Sequence, residues 1–282
     1  MTNHLNQIIN ASSENMQAIP CNSIHHVFTS PPYNVGIEYG PHDDKMSIDD
    51  YLQFLTKIFA ECKRVMVDNA KICINVANTG RSPYIPLTSH INLIMINLGF
   101  FMKGEIIWSK GPSARKSTAW GSWQSSSNPC LRDVHEYILV FSNGNGSLSS
   151  QSDQRDTMTR DSFLRDTESI WHVLTESKSK WRHPAPFPVE LPKRSIELFT
   201  KTEHTVLDPF MGSGTTAIAA IQTGRHFVGY ELNPEYAETA RARIYREQRL
   251  NTPSFSNSHV APSITMPASK PVDGFNQLAL FA

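Results

Sequence analysis

The sequence predicts an α/β fold, a mostly parallel sheet with helices on both faces. Two observations predict it. Strand-length apolar runs alternate with segments whose apolar residues recur at helical spacing. Between 206 and 234 the chain also reads strand, glycine-bearing loop, helix, strand, the pattern of a βαβ unit. The 282 residues suit one large domain, or one domain carrying a small insertion.

Taken in order, "IHHVFTS" (24–30) is a short strand that ends at a Pro-Pro breaker. "DDYLQFLTKIFAECKRVM" follows as a helix, with Leu52, Leu55, Phe59, Cys62 and Met66 on one stripe and Asp49 and Asp50 at its start. "KICINVAN" (71–78) is a strand. "PLTSHINLIMINLGF" is a helix closed by Gly99. "FMKGEIIWSK" and "VHEYILVFSN" are β-rich. The polar run "GNGSLSSQSDQRDTMTRDSF" is a loop or variable insertion. Order returns with the amphipathic helix "PVELPKRSIELFT". The strand "HTVLDPF", the helix "TTAIAAIQTG", the strand "RHFVGYE" and the helix "NPEYAETARARIYREQR" follow. Residues 1–250 form the expected domain. Residues 251–282, rich in Ser, Pro and Asn, form an expected disordered tail. There is no internal repeat.

Composition excludes several classes. Lys+Arg and Asp+Glu are both 26, so the chain is no general polyanion binder, and a nucleic-acid role needs a local basic surface. Cys21, Cys62, Cys73 and Cys130 form no C-x-x-C pair, which argues against a zinc site or a disulfide framework. His25, His26, His135, His172 and His183 lack ligand-like spacing, so no metal is expected. No signal pattern opens the chain, and no apolar run approaches the roughly 20 residues of a membrane helix. The expectation is a soluble, cytoplasmic protein.

Two segments carry chemistry. In "VLDPFMGSGTTAIAAIQTGRHFVGYELNP" (206–234) a strand ends at Asp208, and Gly212 and Gly214 precede a helix starting near Thr215. Glycines there let backbone approach a ligand and adopt positive φ. A second strand ends in Glu231, where an acid commonly binds ribose hydroxyls. No G-K-[ST] follows, so this is not a P-loop. It is not G-x-G-x-x-G either, which disfavours a dinucleotide. Read alone, it is also compatible with an ordinary βαβ glycine turn. The second segment is "FTSPPYN" (28–34). Pro31 and Pro32 fix φ, donate no N–H and hold their neighbours extended. A rigid row of acceptors beside the flat face of Tyr33 suits an amine-bearing ring. Alone, it is also compatible with a proline turn.

Together, "DPFMGSGTT" and "TSPPY" resemble the β group of DNA amino-methyltransferases of the restriction-modification type, whose catalytic [DNS]-P-P-[YFW] motif precedes the cofactor motif. "HPAPFPVELPKRSIELF" (183–199), "EIIWSKG" and "LRDVHEYILVFSN" resemble further family segments, and the likeness runs over roughly 8–249. The resemblance implies the S-adenosylmethionine-dependent methyltransferase (Rossmann-like) fold, circularly permuted. It implies a target-recognition insertion, placed at 109–182. It implies S-adenosyl-L-methionine as cofactor, held by Asp208, Pro209, Phe210, Gly212, Gly214, Thr215 and Glu231, with Phe187 at its methionine end. Family members commonly carry G-D where this chain has Ala11 and Ser12. A neutral hydrogen bond from Ser12 would replace that acid at the adenine.

The resemblance further implies base flipping and methyl transfer to an exocyclic amine of double-stranded DNA, with Ser30, Pro31, Pro32 and Tyr33 catalytic. Ser30, and the Ser30 or Pro31 carbonyl, would accept from the amine, and Tyr33 would stack on the base. Ser at the first motif position points to N4 of cytosine, with N6 of adenine the alternative. DNA contacts are expected from 103–182. That stretch carries Lys110, Arg115, Lys116, Arg132, Arg155, Arg160, Arg165, Lys178, Lys180 and Arg182, and also Trp108, Trp120, Trp123, Trp171 and Trp181. Asp153, Asp156, Asp161 and Asp166 nearly cancel its charge. An RNA or protein amino-methyltransferase and a non-catalytic cofactor-binding regulator are the rival readings. A cytosine C5 enzyme built on Pro129-Cys130 leaves "TSPPY" unexplained. The family often pairs with a cognate restriction endonuclease. The chain is expected to be a monomer or homodimer.

Overall fold

The computed structural model describes residues 4–37, 44–80, 83–111, 123–127, 129, 131–149, 151–176 and 187–251. Eight strands form one sheet among the described residues: β1 (Gln7–Ile9), β2 (Ile24–Thr29), β3 (Met66–Val76), β4 (Phe101–Ser109), β5 (His135–Ser142), β6 (Ile170–His172), β7 (Thr205–Asp208) and β8 (His226–Tyr230). Their spatial order is β1-β8-β7-β2-β3-β5-β4-β6. β5 runs antiparallel to both its neighbours, and every other adjacent pair is parallel. The helices are α1 (Ile48–Val65), α2 (Leu87–Asn97), α3 (Arg160–Asp166), α4 (Glu190–Phe199), α5 (Thr215–Gln222) and α6 (Pro234–Asn251).

β2 and β7 sit at the centre, and β7 is buried at all four positions, as a parallel strand covered on both faces should be. Tyr51, Leu55, Ile58, Phe59, Cys62 and Val65 of α1 pack with Leu87, Ile91 and Met95 of α2 in one apolar layer. α1 starts where it does because Ser47 Oγ accepts from Asp50 N, with Asp49 and Asp50 in the first turn. A second layer joins Ile196 of α4, Ala217 to Ala220 of α5, and Ala237, Ala240 and Ile244 of α6 to Val206 and Phe227. A third cluster gathers Phe28, Cys73, Ile106, Trp108, Ile138, Trp171 and Leu191.

The expected α/β architecture is present, and three of its elements, β1, α3 and β6, have no counterpart in the sequence reading. β1 is too short, at three residues, to carry a period. α3 begins within the polar run at 144–163, which masked it, and β6, like β1, is only three residues long. β5, the expected β-rich run, lies within 109–182 and takes an interior position of the sheet. From 252 on, the expected tail lies outside the described residues.

Candidate active site

The chain leaves β7 towards β8 and leaves β2 towards β3, in opposite directions along the sheet. The carboxyl ends of β2 and β7 therefore open a crevice at a topological switch point, where α/β sheets bind ligands. Both motifs sit there. Ser30 to Tyr33 follow β2, and the loop from Pro209 to Gly214 follows Asp208 at the end of β7.

Asp208 joins the two. Its Oδ1 accepts from Thr29 Oγ1 at 2.6 Å and from Phe210 N at 3.0 Å, and its Oδ2 accepts from Thr216 Oγ1 at 2.7 Å. The residue is fully buried, and burial raises its pKa to about 6 against the pull of those three donors. The sequence reading placed Asp208 against the cofactor. Here its carboxylate faces inward and locks the motif after β2 to the loop after β7.

That loop turns at Gly212 (φ 52°) and Gly214 (φ 84°), both left-handed. Glu231, at the end of β8, accepts from Gly212 N at 2.7 Å and from Asn233 N at 2.8 Å, and burial raises its pKa. Arg243 of α6 donates from behind the loop to Ser213 O (2.7 Å), Ser213 Oγ (2.9 Å) and Thr215 Oγ1 (3.3 Å). Burial lowers the Arg243 pKa to about 10. Asn10, just after β1, donates to the carbonyls of Glu231 (2.8 Å) and Leu232 (3.1 Å). Nothing in the sequence marked Arg243 or Asn10, because both act across more than twenty residues.

The donor set fits S-adenosylmethionine on its ribose side. Backbone N–H groups of Gly212 and Asn233 bond to the two Glu231 oxygens, and a carboxylate has about four lone-pair sites, so acceptor capacity remains for a ribose hydroxyl. The left-handed glycine turn removes side chains from that approach. Phe210 is half-buried on the β7 loop, and Pro209 and Thr215 are buried beneath it. Ser12 lies past β1 at the same sheet edge, but its hydroxyl is engaged in a local turn, accepting from Glu14 N at 3.2 Å and lying 3.3 Å from Glu14 Oε2. Phe187 sits with its ring centroid 5.5 Å from that of Phe28, two residues before Ser30.

Beyond β2, Tyr51 of α1 donates its hydroxyl to the Pro32 carbonyl at 2.6 Å, and Pro31 is buried. The Ser30 hydroxyl lies 3.2 Å from that of Tyr33. Tyr33 donates to Glu136 Oε2 at 3.0 Å. Asn75 Nδ2, from β3, reaches Glu136 Oε2 (2.6 Å), Tyr33 OH (3.2 Å) and Ser30 Oγ (3.4 Å). Lys110 Nζ closes the network on Glu136 Oε1 at 2.5 Å. The sequence reading missed Asn75 and Glu136, since polar residues inside apolar strands carry no local signal.

The expected DNA-contact stretch divides. Lys110 is mostly buried against Glu136 and lies over the Trp108 ring. Trp108 and Trp171 are core residues, with their Nε1 groups bonded to Val173 O and Asp166 O. Arg165 pairs with the buried Asp166. Thr202 N donates to Arg155 O just before β7 begins, which puts Arg155 at the opposite end of the sheet from the crevice. Arg132, Arg160 and Trp123 are exposed. Arg115, Lys116, Trp120, Lys178, Lys180, Trp181 and Arg182 lie outside the described residues, as do Cys130 and His183.

Among the described residues no group of three or more His, Cys, Asp or Glu could hold a metal ion, and no helix is long and apolar enough to cross a membrane.

Residues 24–242 match the profile of a family described as DNA methylase, of N6/N4 type. The chain is 29% identical over 249 residues to the type II methyltransferase M.BglII of Bacillus subtilis, covering 84% of this chain and 68% of that one. It is 28% identical over 245 residues to the DNA adenine methyltransferase YhdJ of Escherichia coli, covering 81% and 79%. Its fold is similar to that of a DNA modification methylase of Thermus thermophilus, crystallised with S-adenosyl-L-methionine. The TM-score is 0.69 at 29% identity, over 86% of this chain and 93% of that one.

Proposed function

We propose a specific reaction from the premise that this chain belongs to the N6/N4 DNA methylase family: methyl transfer from S-adenosylmethionine to N4 of a cytosine flipped out of duplex DNA. The observation that carries the reading is the junction of the two motifs at the switch point, where Thr29 and Asp208 hold the amine-gripping turn beside the glycine loop.

S-adenosylmethionine supplies an electrophilic methyl group on a sulfonium. The protein's part is to position and to polarise. An exocyclic amine is a poor nucleophile because its lone pair is delocalised into the ring. Acceptors at Ser30 Oγ and at the Ser30 or Pro31 carbonyl draw its N–H bonds and favour a pyramidal nitrogen. The Pro32 carbonyl is engaged by Tyr51, which leaves the acceptors before it as the ones directed at the amine. Tyr33, anchored by its hydroxyl, offers a ring face for stacking. Glu231 and the glycine loop hold the ribose side, and Phe210 and Phe187 contribute apolar walls. Ser12 is assigned to the adenine side by its position after β1. DNA phosphates would meet exposed basic residues such as Arg132.

Ser30 at the head of the motif supports cytosine. The similarity to YhdJ, named an adenine enzyme, supports N6 of adenine as the second reading. A matched restriction endonuclease fits the likeness to M.BglII, a type II methyltransferase.

The test is to incubate the protein with S-adenosylmethionine and unmethylated plasmid DNA, digest to nucleosides and identify the product by mass spectrometry. N4-methylcytosine is expected. N6-methyladenine would move the assignment to the second reading. No methylated nucleoside, with RNA and protein substrates then tried, would overturn the DNA reading.

A further inference from the structure

Five polar residues from four segments meet at the motif, and their chemistry fixes the direction of the hydrogen bonds between them. Glu136, with the Lys110 ammonium 2.5 Å from Oε1, is an acceptor only. Tyr33 has one proton, and at 3.0 Å it gives it to Glu136 Oε2. The phenol oxygen is then an acceptor towards its other neighbours. One of these is Asn75 Nδ2, a donor, at 3.2 Å. The other is Ser30 Oγ, also at 3.2 Å, whose single proton therefore points at Tyr33. A lone pair of Ser30 Oγ is left facing away from the network.

Asn75 shows that this polarity is imposed. Its Nδ2 must face Glu136 at 2.6 Å, because the carboxylate cannot donate, and its Oδ1 is left buried without a partner. An orphaned buried acceptor costs free energy, so the arrangement is not the one best for folding. Glu136 is 7% exposed and Asn75 1%. In so dry a setting a chain of hydrogen bonds is strongly polarising.

We propose that Glu136 is a positioning residue. Through the Tyr33 hydroxyl it turns the Ser30 proton away, so that Ser30 Oγ meets the target amine as an acceptor. The inference rests on the amine-methylation reading above. With an amide at 136 the chain can reverse: the amide donates to Tyr33, Tyr33 donates to Ser30, and Ser30 points its proton at the amine.

The test is a double-mutant cycle with a spectroscopic arm. Glu136→Gln is expected to lower kcat by about 10- to 100-fold, below the loss typical of removing a direct donor. Affinity for S-adenosylmethionine should stay within about twofold. Tyr33→Phe should lower kcat similarly, and adding Glu136→Gln to Tyr33→Phe should cost nothing further, because the effect passes through the missing hydroxyl. If Glu136→Gln alone fails to fold because Lys110 loses the carboxylate it pairs with, Glu136→Gln with Lys110→Met removes both charges and replaces it in the cycle. In protein labelled with 13Cζ-tyrosine, the Tyr33 resonance, identified by its loss in Tyr33→Phe, should lie downfield in the wild type and move upfield in the Glu136 variant. Full kcat in the Glu136 variant, multiplicative losses in the double variant, or an undisplaced wild-type resonance would each overturn the proposal. Absence of any methylated nucleoside from the wild type would overturn the functional reading instead, and the resonance would still decide the hydrogen-bond direction.

Discussion

Thr29 and Asp208 lie on neighbouring central strands, and the 2.6 Å hydrogen bond between their side chains ties the last residue of β2 to the last residue of β7. Neither side chain reaches solvent. Thr29→Val keeps the shape and removes the donor. It should destabilise the protein by about 1–3 kcal/mol, the cost of leaving a buried acceptor short of a partner. A urea denaturation series reads this directly. It should also weaken S-adenosylmethionine binding, because the glycine loop then loses one of its ties to β2. Unchanged midpoint and affinity would show that Thr216 and Phe210 N suffice to hold Asp208.

Tyr33 is expected to separate binding from turnover. Tyr33→Ala removes both the stacking face and the hydroxyl network while the cofactor loop lies on another strand. Stacking is worth about 1–3 kcal/mol per base, or roughly 5- to 150-fold, so kcat should fall by at least that much. Calorimetric affinity for S-adenosylmethionine should stay near wild type. Wild-type turnover would remove Tyr33 from the reaction.

Much of the site was legible in the sequence for a physical reason. Ser30 to Tyr33 and Asp208 to Thr215 are contiguous, so their turn chemistry is written locally in prolines and glycines. That β2 and β7 are adjacent was not legible, since most of the chain separates Thr29 from Thr205 and only the sheet order joins them. Asn75, Glu136 and Arg243 escaped for the same reason. Each looks like a routine polar residue within its own element and acquires a role only from what folds against it. Lys110 and Trp108 misled in the other direction: charge beside an aromatic reads as a DNA surface, yet here the lysine stem lies over the indole and its head pairs with a buried acid. β6 stayed hidden because three residues flanked by Ser and Val carry no period.

Gly214 should tolerate no side chain. Its φ of +84° is costly for any L residue, and an added Cβ would lie 3.0 Å from Ala240 Cβ and 3.3 Å from Ala240 Cα. Gly214→Ala should cost about 1–2 kcal/mol from the left-handed backbone alone, and more because α6 must shift. The shift would carry Arg243 away from Ser213 O, so affinity for S-adenosylmethionine should fall with stability. Gly104→Ala is the control: nothing lies within 4 Å of its added Cβ, and its midpoint should match or exceed wild type.

Acid should destabilise the fold from the end of the sheet opposite the site. Burial lowers the pKa of His26 to about 3 and of His204 to about 4. His25, stacked on His204 with ring centroids 4.2 Å apart, is lowered as well, also by burial. In the unfolded chain each takes a proton near the ordinary 6.5. Between about 6.5 and the folded values the unfolded state therefore holds more protons, and stability falls as pH falls. Asp208 works the other way. Its folded pKa is raised from 3.8 to about 6, so the folded state takes the proton first and gains stability as pH drops across that interval. Glu231 and Glu197, whose pKa values burial also raises, act in the same sense as Asp208. The three imidazoles oppose them, and His26 and His204 are each displaced at least as far as Asp208, so the net slope between about pH 6.5 and 4 should favour unfolding at lower pH. Urea midpoints measured from about pH 7.5 to 4.5 should decline, with most of the loss below about 6.5. His204→Asn keeps an acceptor for the Lys201 N–H, which His204 Nδ1 now receives at 3.2 Å. It removes one titrating ring and should flatten the decline. A midpoint that rises as pH falls from about 6.5 to 4.5 would mean that the raised carboxyls of Asp208, Glu231 and Glu197, not the histidines, dominate the acid limb.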